Sequence, residues 1–296
     1  MSLNPFQREV LVCLYWHRLM STAQVRRLVA PAKPMRTVRH RLQALREAGL
    51  IDCVHRHHAP RTWYTTGEGA AEVEASGAVD TRPYRIASTI TAQLLGNHAV
   101  DVVDTGLVFV ETAREHGHDC GPLSWTPEVA HRYRAPLPAR GARRDVVEAD
   151  AVLHYVIVNA DRQAQYTFFI ELDRATMPVA RLAQKLVSYV LYYSYRPGKP
   201  GAPGRPSWQE RYPRFPRVLV VLSGAAEPAL ERRLADLRVR AQAMATVALA
   251  EDRVCMLVTT LERLRGEGPF AEIAVPLLGS RSAPVSVFSW PKGEAA

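Results

Sequence analysis

The chain has 296 residues, and 47% of them are hydrophobic, so it is long enough for two modest cores and too long for one small module. Its formal net charge of +9 favours a polyanionic partner such as nucleic acid without establishing one. No apolar stretch approaches the roughly 20 residues that cross a bilayer, which excludes a membrane-spanning protein.

The cysteines are dispersed, with no Cys-x-x-Cys pair among them: Cys13, Cys53, Cys120 and Cys255. The N-terminus also lacks a basic head followed by an apolar run. We therefore expect a cytoplasmic protein with reduced thiols.

Three helices are predicted at the start of the chain. Asn4-Pro5 is a cap followed by proline, and apolar residues at helical spacing extend the first helix to about residue 19. Ser21 begins a short second helix, "TAQVRRLVA", which the prolines of the next segment terminate. The third, "MRTVRHRLQALREAGL", ends at Gly49.

The third helix has an apolar stripe and an opposite polar face. Val38, Leu42 and Leu45 form the stripe. The opposite face carries the side chains that we predict to read DNA: Arg36, Arg39, His40 and Gln43. Between residues 26 and 61, nine basic residues stand against two acidic ones, so the basic surplus is mostly N-terminal.

Two strand-like runs follow in "IDCVHRHHAPRTWYTT", and a helical "GEGAAEVEAS" comes after them. Three helices and a two-stranded wing predict a winged helix-turn-helix, which places its third helix in the major groove of double-stranded DNA. Arg56 and Arg61 of the wing are then expected to contact phosphates. A winged helix used for protein contacts is the alternative.

The rest of the chain alternates helices and strands. A long helix at 89–117 precedes three strand-like segments, of which the last two suggest a hairpin, and then a helix, a strand, a helix and a strand. The predicted fold class is α+β: a winged helix-turn-helix at 1–85 and an α/β domain with a mixed sheet at 86–296.

Two carboxylates stand at the end of the second hairpin strand, "AQYTFFIELD". Glu171 and Asp173 are two residues apart and therefore project from the same face. Such a pair is tolerated if a cation or an arginine neutralises it. Asp150, on the neighbouring hairpin strand, can lie beside them, and three oxygen donors on adjacent strands predict a Mg²⁺ site.

The arrangement of "EADAVL" and "FIELD" on consecutive strands resembles the PD-(D/E)xK nuclease fold over roughly residues 89–262. The resemblance implies that Asp150 and Glu171 hold magnesium for phosphodiester cleavage. Two positions depart from that pattern: Ala149 replaces the proline of the family, and Asp173 replaces its lysine.

Lys185 of the following helix can supply the missing lysine, because lysine migration to this helix is a variation of the fold. Tyr189 lies four residues later on the same face. Lys185 would then act with Asp150, Glu171 and Asp173 in catalysis, and Glu128 of "SWTPE" would add a further carboxylate. A purely structural bridge from Lys185 to Asp173 or Glu171 is equally compatible with the sequence.

Nearly the whole chain resembles the replication-relaxation family of actinobacterial plasmids and mobile elements. The resemblance rests on "LREAGLI", "WYTT", "GNHAVDV", "SWTPE", "EADAVL", "IELDRAT" and "KLVSY". It implies a role in the DNA of mobile elements.

Three functions stay open at this point. The first is a Mg²⁺-dependent DNA endonuclease targeted by the winged helix. The second is a non-catalytic replication accessory protein that uses the nuclease-like domain as a scaffold, and the third is a transcription regulator. A homodimer and further replication or transfer proteins are open as partners.

Overall fold

A computed structural model describes residues 3–55, 60–82, 86, 89–133, 146–199 and 202–289. The contacts between residues divide the chain into two compact units, Met1–Pro127 and Glu128–Ala296. The sequence predicted a domain boundary after residue 85, which assigns the long helix at 89–116 to the second domain. By its contacts, this helix belongs to the first unit. The secondary structure is mixed α and β.

The first unit is mainly helical and contains a small sheet. Its three short strands are antiparallel and lie in the order β1-β3-β2. The elements are α1 (Pro5–His17), β1 (Met20–Ser21), α2 (Thr22–Val29), α3 (Met35–Glu47), β2 (Ile51–Val54), β3 (Thr62–Thr65), α4 (Gly67–Ser76) and α5 (Thr89–His116).

The predicted caps of the first two helices are present. Asn4 and Gln7 form a capping box at α1, since each side chain accepts from the backbone N–H of the other. Ser21 and Gln24 form the same arrangement at α2. Gly49, with φ of 76°, supplies the left-handed backbone that lets the chain turn away after α3.

Helix α5 contacts α2 through charged side chains. Arg27 of α2 donates to both oxygens of Glu111, at 2.8 and 2.6 Å, and to Asp104 at 3.2 Å. Gly106 lies against the Trp125 ring, because a Cβ there would stand 2.5 Å from it. The helix is kinked at Gly96, whose backbone is not helical.

The second unit is built on a six-stranded mixed sheet in the order β11-β10-β9-β6-β5-β4. β5 and β6 form the predicted antiparallel hairpin, and β6, β9 and β10 are parallel. The elements are β4 (Trp125–Arg132), β5 (Val146–Val158), β6 (Gln163–Asp173), α6 (Val179–Ser194), β7 (Gly198–Lys199), β8 (Ala202–Pro203), β9 (Arg217–Leu222), α7 (Glu227–Ala243), α8 (Ala245–Ala248), β10 (Met256–Thr260), α9 (Leu261–Glu267) and β11 (Val275–Pro276).

Helices α6 and α7 cover one face of this sheet. Leu186 and Tyr189 of α6 share a core cluster with Leu234 of α7 and with Phe169 and Val220 of the sheet. The sequence predicted one helix over 227–249, which is wrong: Met244 has an extended backbone and separates α7 from α8. No glycine or proline marks this break in the sequence.

All four cysteines are free thiols. In the ranges that the structure describes, no helix is long and apolar enough to cross a bilayer.

Candidate functional site

The candidate site lies where β6 ends. Glu171 and Asp173 are both buried, with 1% and 2% of their surfaces exposed. They point to the same face as Phe169, which belongs to the core beneath α6 and α7. The parallel pairing sets Glu171 opposite Val220 and Asp173 opposite Leu222 of β9, so both carboxylates lie over a central strand of the sheet.

Asp150 joins Glu171 through the hairpin. The regular pairing of β5 with β6 begins at Ala151 opposite Ile170. Just before it, one carboxylate oxygen of Asp150 accepts a hydrogen bond from the backbone N–H of Leu172, at 2.7 Å. The Asp150 side chain thus bonds to the backbone next to Glu171, as the hairpin predicted.

Lys185 comes from α6 and contacts both carboxylates. Its ammonium group forms an ion pair with Oε2 of Glu171 and lies 3.7 Å from Oδ1 of Asp150. The Lys185 side chain is 31% exposed, whereas Glu171 is almost completely enclosed. Lys185 therefore links a buried acid to the surface of the protein.

Tyr189 lies one turn later on α6 and is fully buried. Its hydroxyl donates a hydrogen bond to Oε1 of Glu171, the oxygen that Lys185 does not contact. Both oxygens of Glu171 are thus held by side chains from a single helix. The sequence placed Tyr189 on the face of Lys185 but did not identify this hydrogen bond.

Burial, followed by the negative charge of Asp150, raises the pKa of Glu171 to about 8, although Lys185 and Tyr189 oppose the rise. Burial lowers the pKa of Lys185, but the charges of Glu171 and Asp150 raise it by more, so the net shift is upward. Lys185 thus keeps its proton at neutral pH, while Glu171 gains or loses one close to neutrality.

Asp173 has a different partner. Its Oδ2 forms an ion pair with Arg233 of α7, and Arg233 also donates to the carbonyl of Met177 at 2.6 Å. The other oxygen, Oδ1, is buried and has no hydrogen-bond partner among the described residues. The structure thus groups Asp150, Glu171 and Lys185 around α6 and pairs Asp173 with α7.

Sequence reasoning missed Arg233. It lies in "LERRLADLRVR", where several arginines share one helix and nothing local distinguishes the one that reaches β6. The only available signal was that a buried strand-end carboxylate needs a positive partner.

The donors that could hold a metal are two neighbouring carboxylates rather than three. Within the described part of the chain, no group of three or more His, Cys, Asp or Glu side chains is arranged to hold a metal ion. Asp150 and Glu171 fit a Mg²⁺ ion that keeps several waters and takes further oxygens from a substrate phosphate. Glu128 is an exposed residue of β4, which neighbours β5, and its φ of 53° marks a local distortion of that strand.

The predicted reading face of α3 is exposed. Val38, Leu42 and Leu45 are buried as predicted. Of the exposed side chains, Gln43 donates to Glu47 at 3.1 Å. The exposed residues of the predicted face are Arg36, Arg39, His40 and Gln43.

Of the two arginines predicted in the wing, the structure describes one. Arg61 is exposed and its guanidinium lies 5.5 Å from the centre of the Trp63 ring. Arg56 lies outside the described residues.

The sequence model of one family, described as replication-relaxation, matches residues 11–202. This range includes α3, the hairpin and the whole of α6, and therefore covers Asp150, Glu171 and Lys185. No curated protein and no solved structure gives a significant match to the chain.

Proposed function

The chain belongs to the replication-relaxation family, and on this premise we propose that it is a DNA-binding protein of plasmid or mobile-element replication or transfer. We further propose that its second unit is a Mg²⁺-dependent DNA endonuclease. The observation that carries this activity is the contact of Lys185 with the two carboxylates Asp150 and Glu171 at the strand ends.

DNA binding is assigned to the N-terminal elements, which we interpret as a winged helix with α3 as its recognition helix and β2–β3 as its wing. The exposed basic and amide side chains of α3 support this assignment, since arginine and glutamine can contact base edges in the major groove. Arg61, together with Arg56, which lies outside the described residues, is assigned to phosphates.

The second unit is interpreted as a PD-(D/E)xK nuclease-like fold in which the lysine has moved from β6 to α6. Two features support this: a hairpin whose two strands carry Asp150 and Glu171, and a helix that returns Lys185 to them. The position that would hold the strand lysine is Asp173, and its charge is offset by Arg233.

Asp150 and Glu171 would hold the magnesium ion, which when bound would polarise the phosphate and lower the pKa of a water molecule. Asp173 could join them only through Oδ1, because Oδ2 is engaged by Arg233. Lys185 would stabilise the negative charge that develops on the phosphate. Tyr189 would fix the orientation of Glu171.

A non-catalytic accessory role is the second candidate. The Asp173–Arg233 pair favours it, because a strand position that carries lysine in the nuclease fold here carries a neutralised carboxylate. The fold would then act as a scaffold, and the same reasoning covers a transcription regulator that relies on α3 alone.

The test is incubation of the purified protein with supercoiled and single-stranded DNA in the presence of magnesium, manganese or a chelator. We expect nicking or degradation in the metal reactions of the wild type and none with Glu171→Gln. Intact DNA in every reaction of a protein that binds duplex would reject the nuclease and leave the accessory role.

A further inference from the structure

A basic loop in the second unit lies outside the assignments made above. It spans Gly204–Pro216, between β8 and β9, and we call it the arginine loop. Three exposed arginines, Arg205, Arg211 and Arg214, stand in it against one acidic residue, Glu210. The loop is thus strongly positive for its length.

Aromatic side chains fix the loop to the protein. Trp208 stacks on Tyr193 of α6, with ring centres 6.0 Å apart, and its indole N–H donates to the Tyr193 carbonyl at 3.1 Å. The hydroxyl of Tyr212 lies 2.7 Å from Nε2 of His131 on β4. Phe215 packs edge-on against Phe169 of β6. The loop is therefore attached to the protein at three of its residues.

The three arginines are not neutralised. None of them forms an ion pair with a described residue, and the Arg211 guanidinium donates a 3.3 Å hydrogen bond to the carbonyl of Ala130. Arg233 and Arg263 of the same unit are both engaged by carboxylates. Three exposed guanidinium groups without a described carboxylate partner, on a loop held by aromatic contacts, suit a ligand that carries several negative charges.

The loop lies next to the carboxylate cluster. The rings of Tyr212 and Phe215 both pack edge-on against Phe169 of β6, with ring centres 5.5 and 5.6 Å away. Phe169 in turn stacks on Tyr189, with ring centres 5.2 Å apart, and Tyr189 donates to Glu171. The loop thus packs on Phe169, two residues before Glu171 on β6.

We propose that the arginine loop binds the phosphate backbone of duplex DNA beside the carboxylate cluster, without reading sequence and independently of α3. This inference rests on the proposed function, because it assumes DNA as the ligand. It adds a second DNA-binding surface, which would hold the scissile strand against Asp150 and Glu171 while α3 selects the site.

The experiment compares two triple variants of the full chain that remove the same charge. The first is Arg205→Ala/Arg211→Ala/Arg214→Ala in the loop. The matched control is Arg162→Ala/Arg232→Ala/Arg253→Ala, which removes three exposed arginines elsewhere in the same unit. Affinity for a duplex of random sequence is measured over a series of salt concentrations.

We expect the loop variant to bind more weakly and with a shallower salt dependence, because the log–log slope falls by about 0.9 for each phosphate that the protein no longer neutralises. The control should retain the slope of the wild type. Equal weakening in both variants would show a general charge effect and overturn the proposal, as would wild-type binding by the loop variant.

A third variant, Arg36→Ala/Arg39→Ala in α3, separates this inference from the proposed function. Weak binding by the α3 variant with normal binding by the loop variant would reject the loop and keep the proposed function. The opposite result would support the loop and show that α3 does not carry the affinity for DNA of random sequence. The same proteins are also mixed with phosphatidylserine vesicles. Vesicle binding by the wild type that is lost in the loop variant, while DNA binding is unchanged, would assign the loop to lipid and overturn the proposal.

Discussion

Lys185 of α6 forms an ion pair with Glu171, a carboxylate with only 1% of its surface exposed at the end of a central strand. Lys185 itself is partly exposed, so the pair connects the core of the second unit to solvent. Placing a charged acid in a core is costly unless it is paired and hydrogen-bonded, and here α6 provides both through Lys185 and Tyr189.

Lys185→Ala should lower the free energy of unfolding by about 2 kcal/mol at pH 9 and by less at pH 6. Without the ammonium group Glu171 is left unpaired, but at lower pH it can take up a proton instead. Urea unfolding at the two pH values measures the difference, and Gln184→Ala, at an exposed neighbouring position on α6, is the control. An equal decrease at both pH values would mean that Lys185 acts through packing alone.

Stability should fall with rising pH because of Glu171. Its folded pKa of about 8 lies above the ordinary value of 4.5, so its contribution is complete below pH 4.5 and is lost as pH rises toward 8. Glu171→Gln removes this component. The unfolding free energy is measured in chelator. The value for the variant minus the value for the wild type should therefore increase as the pH rises from 4.5 to 8. A constant difference from pH 5 to 8 would contradict the raised pKa.

Magnesium should raise the melting temperature of the wild type, because an ion that binds only the folded state stabilises it by mass action. Glu171→Gln should abolish the rise and leave duplex binding intact. Calorimetry with and without magnesium or manganese provides the measurement. If neither ion changes the melting temperature of the wild type and Lys185→Ala is strongly destabilised, the metal site is rejected. The carboxylates and Lys185 would then form only a structural salt bridge.

Arg233→Ala should be strongly destabilising, by about 3 kcal/mol, because it leaves the buried Asp173 unpaired. Arg233→Ala combined with Asp173→Asn should cost less than Arg233→Ala alone. Arg232→Ala, at an exposed neighbour on α7, is the control and should be close to neutral. Additive effects in the double variant would show that the two side chains do not depend on each other.

In α3, Arg39→Ala and Gln43→Ala should each weaken binding to the preferred duplex by about 1–3 kcal/mol and affect random DNA less. Arg61→Ala should weaken both alike, since a phosphate contact carries no sequence information. Titration of each variant with both duplexes tests this. Equal effects of all three substitutions on the two duplexes would show that α3 does not read bases.

The sequence by itself determined the features that depend on neighbours along the chain. The capping residues Asn4 and Ser21 fixed where two helices begin, because their side chains bond to backbone groups only three residues away. Strand alternation placed Glu171 and Asp173 on one face, and the hairpin brought Asp150 beside Glu171, since both follow from local backbone geometry.

Only the tertiary structure decided how the charges are shared. Asp173 and Glu171 look equivalent in sequence, yet α7 brings Arg233 to one and α6 brings Lys185 and Tyr189 to the other. The helix that reaches each carboxylate is set by how the apolar faces of α6 and α7 pack on the sheet, and that packing depends on residues distant in the chain. The same packing placed the arginine loop beside the cluster, because Trp208 and Tyr212 attach it to α6 and β4.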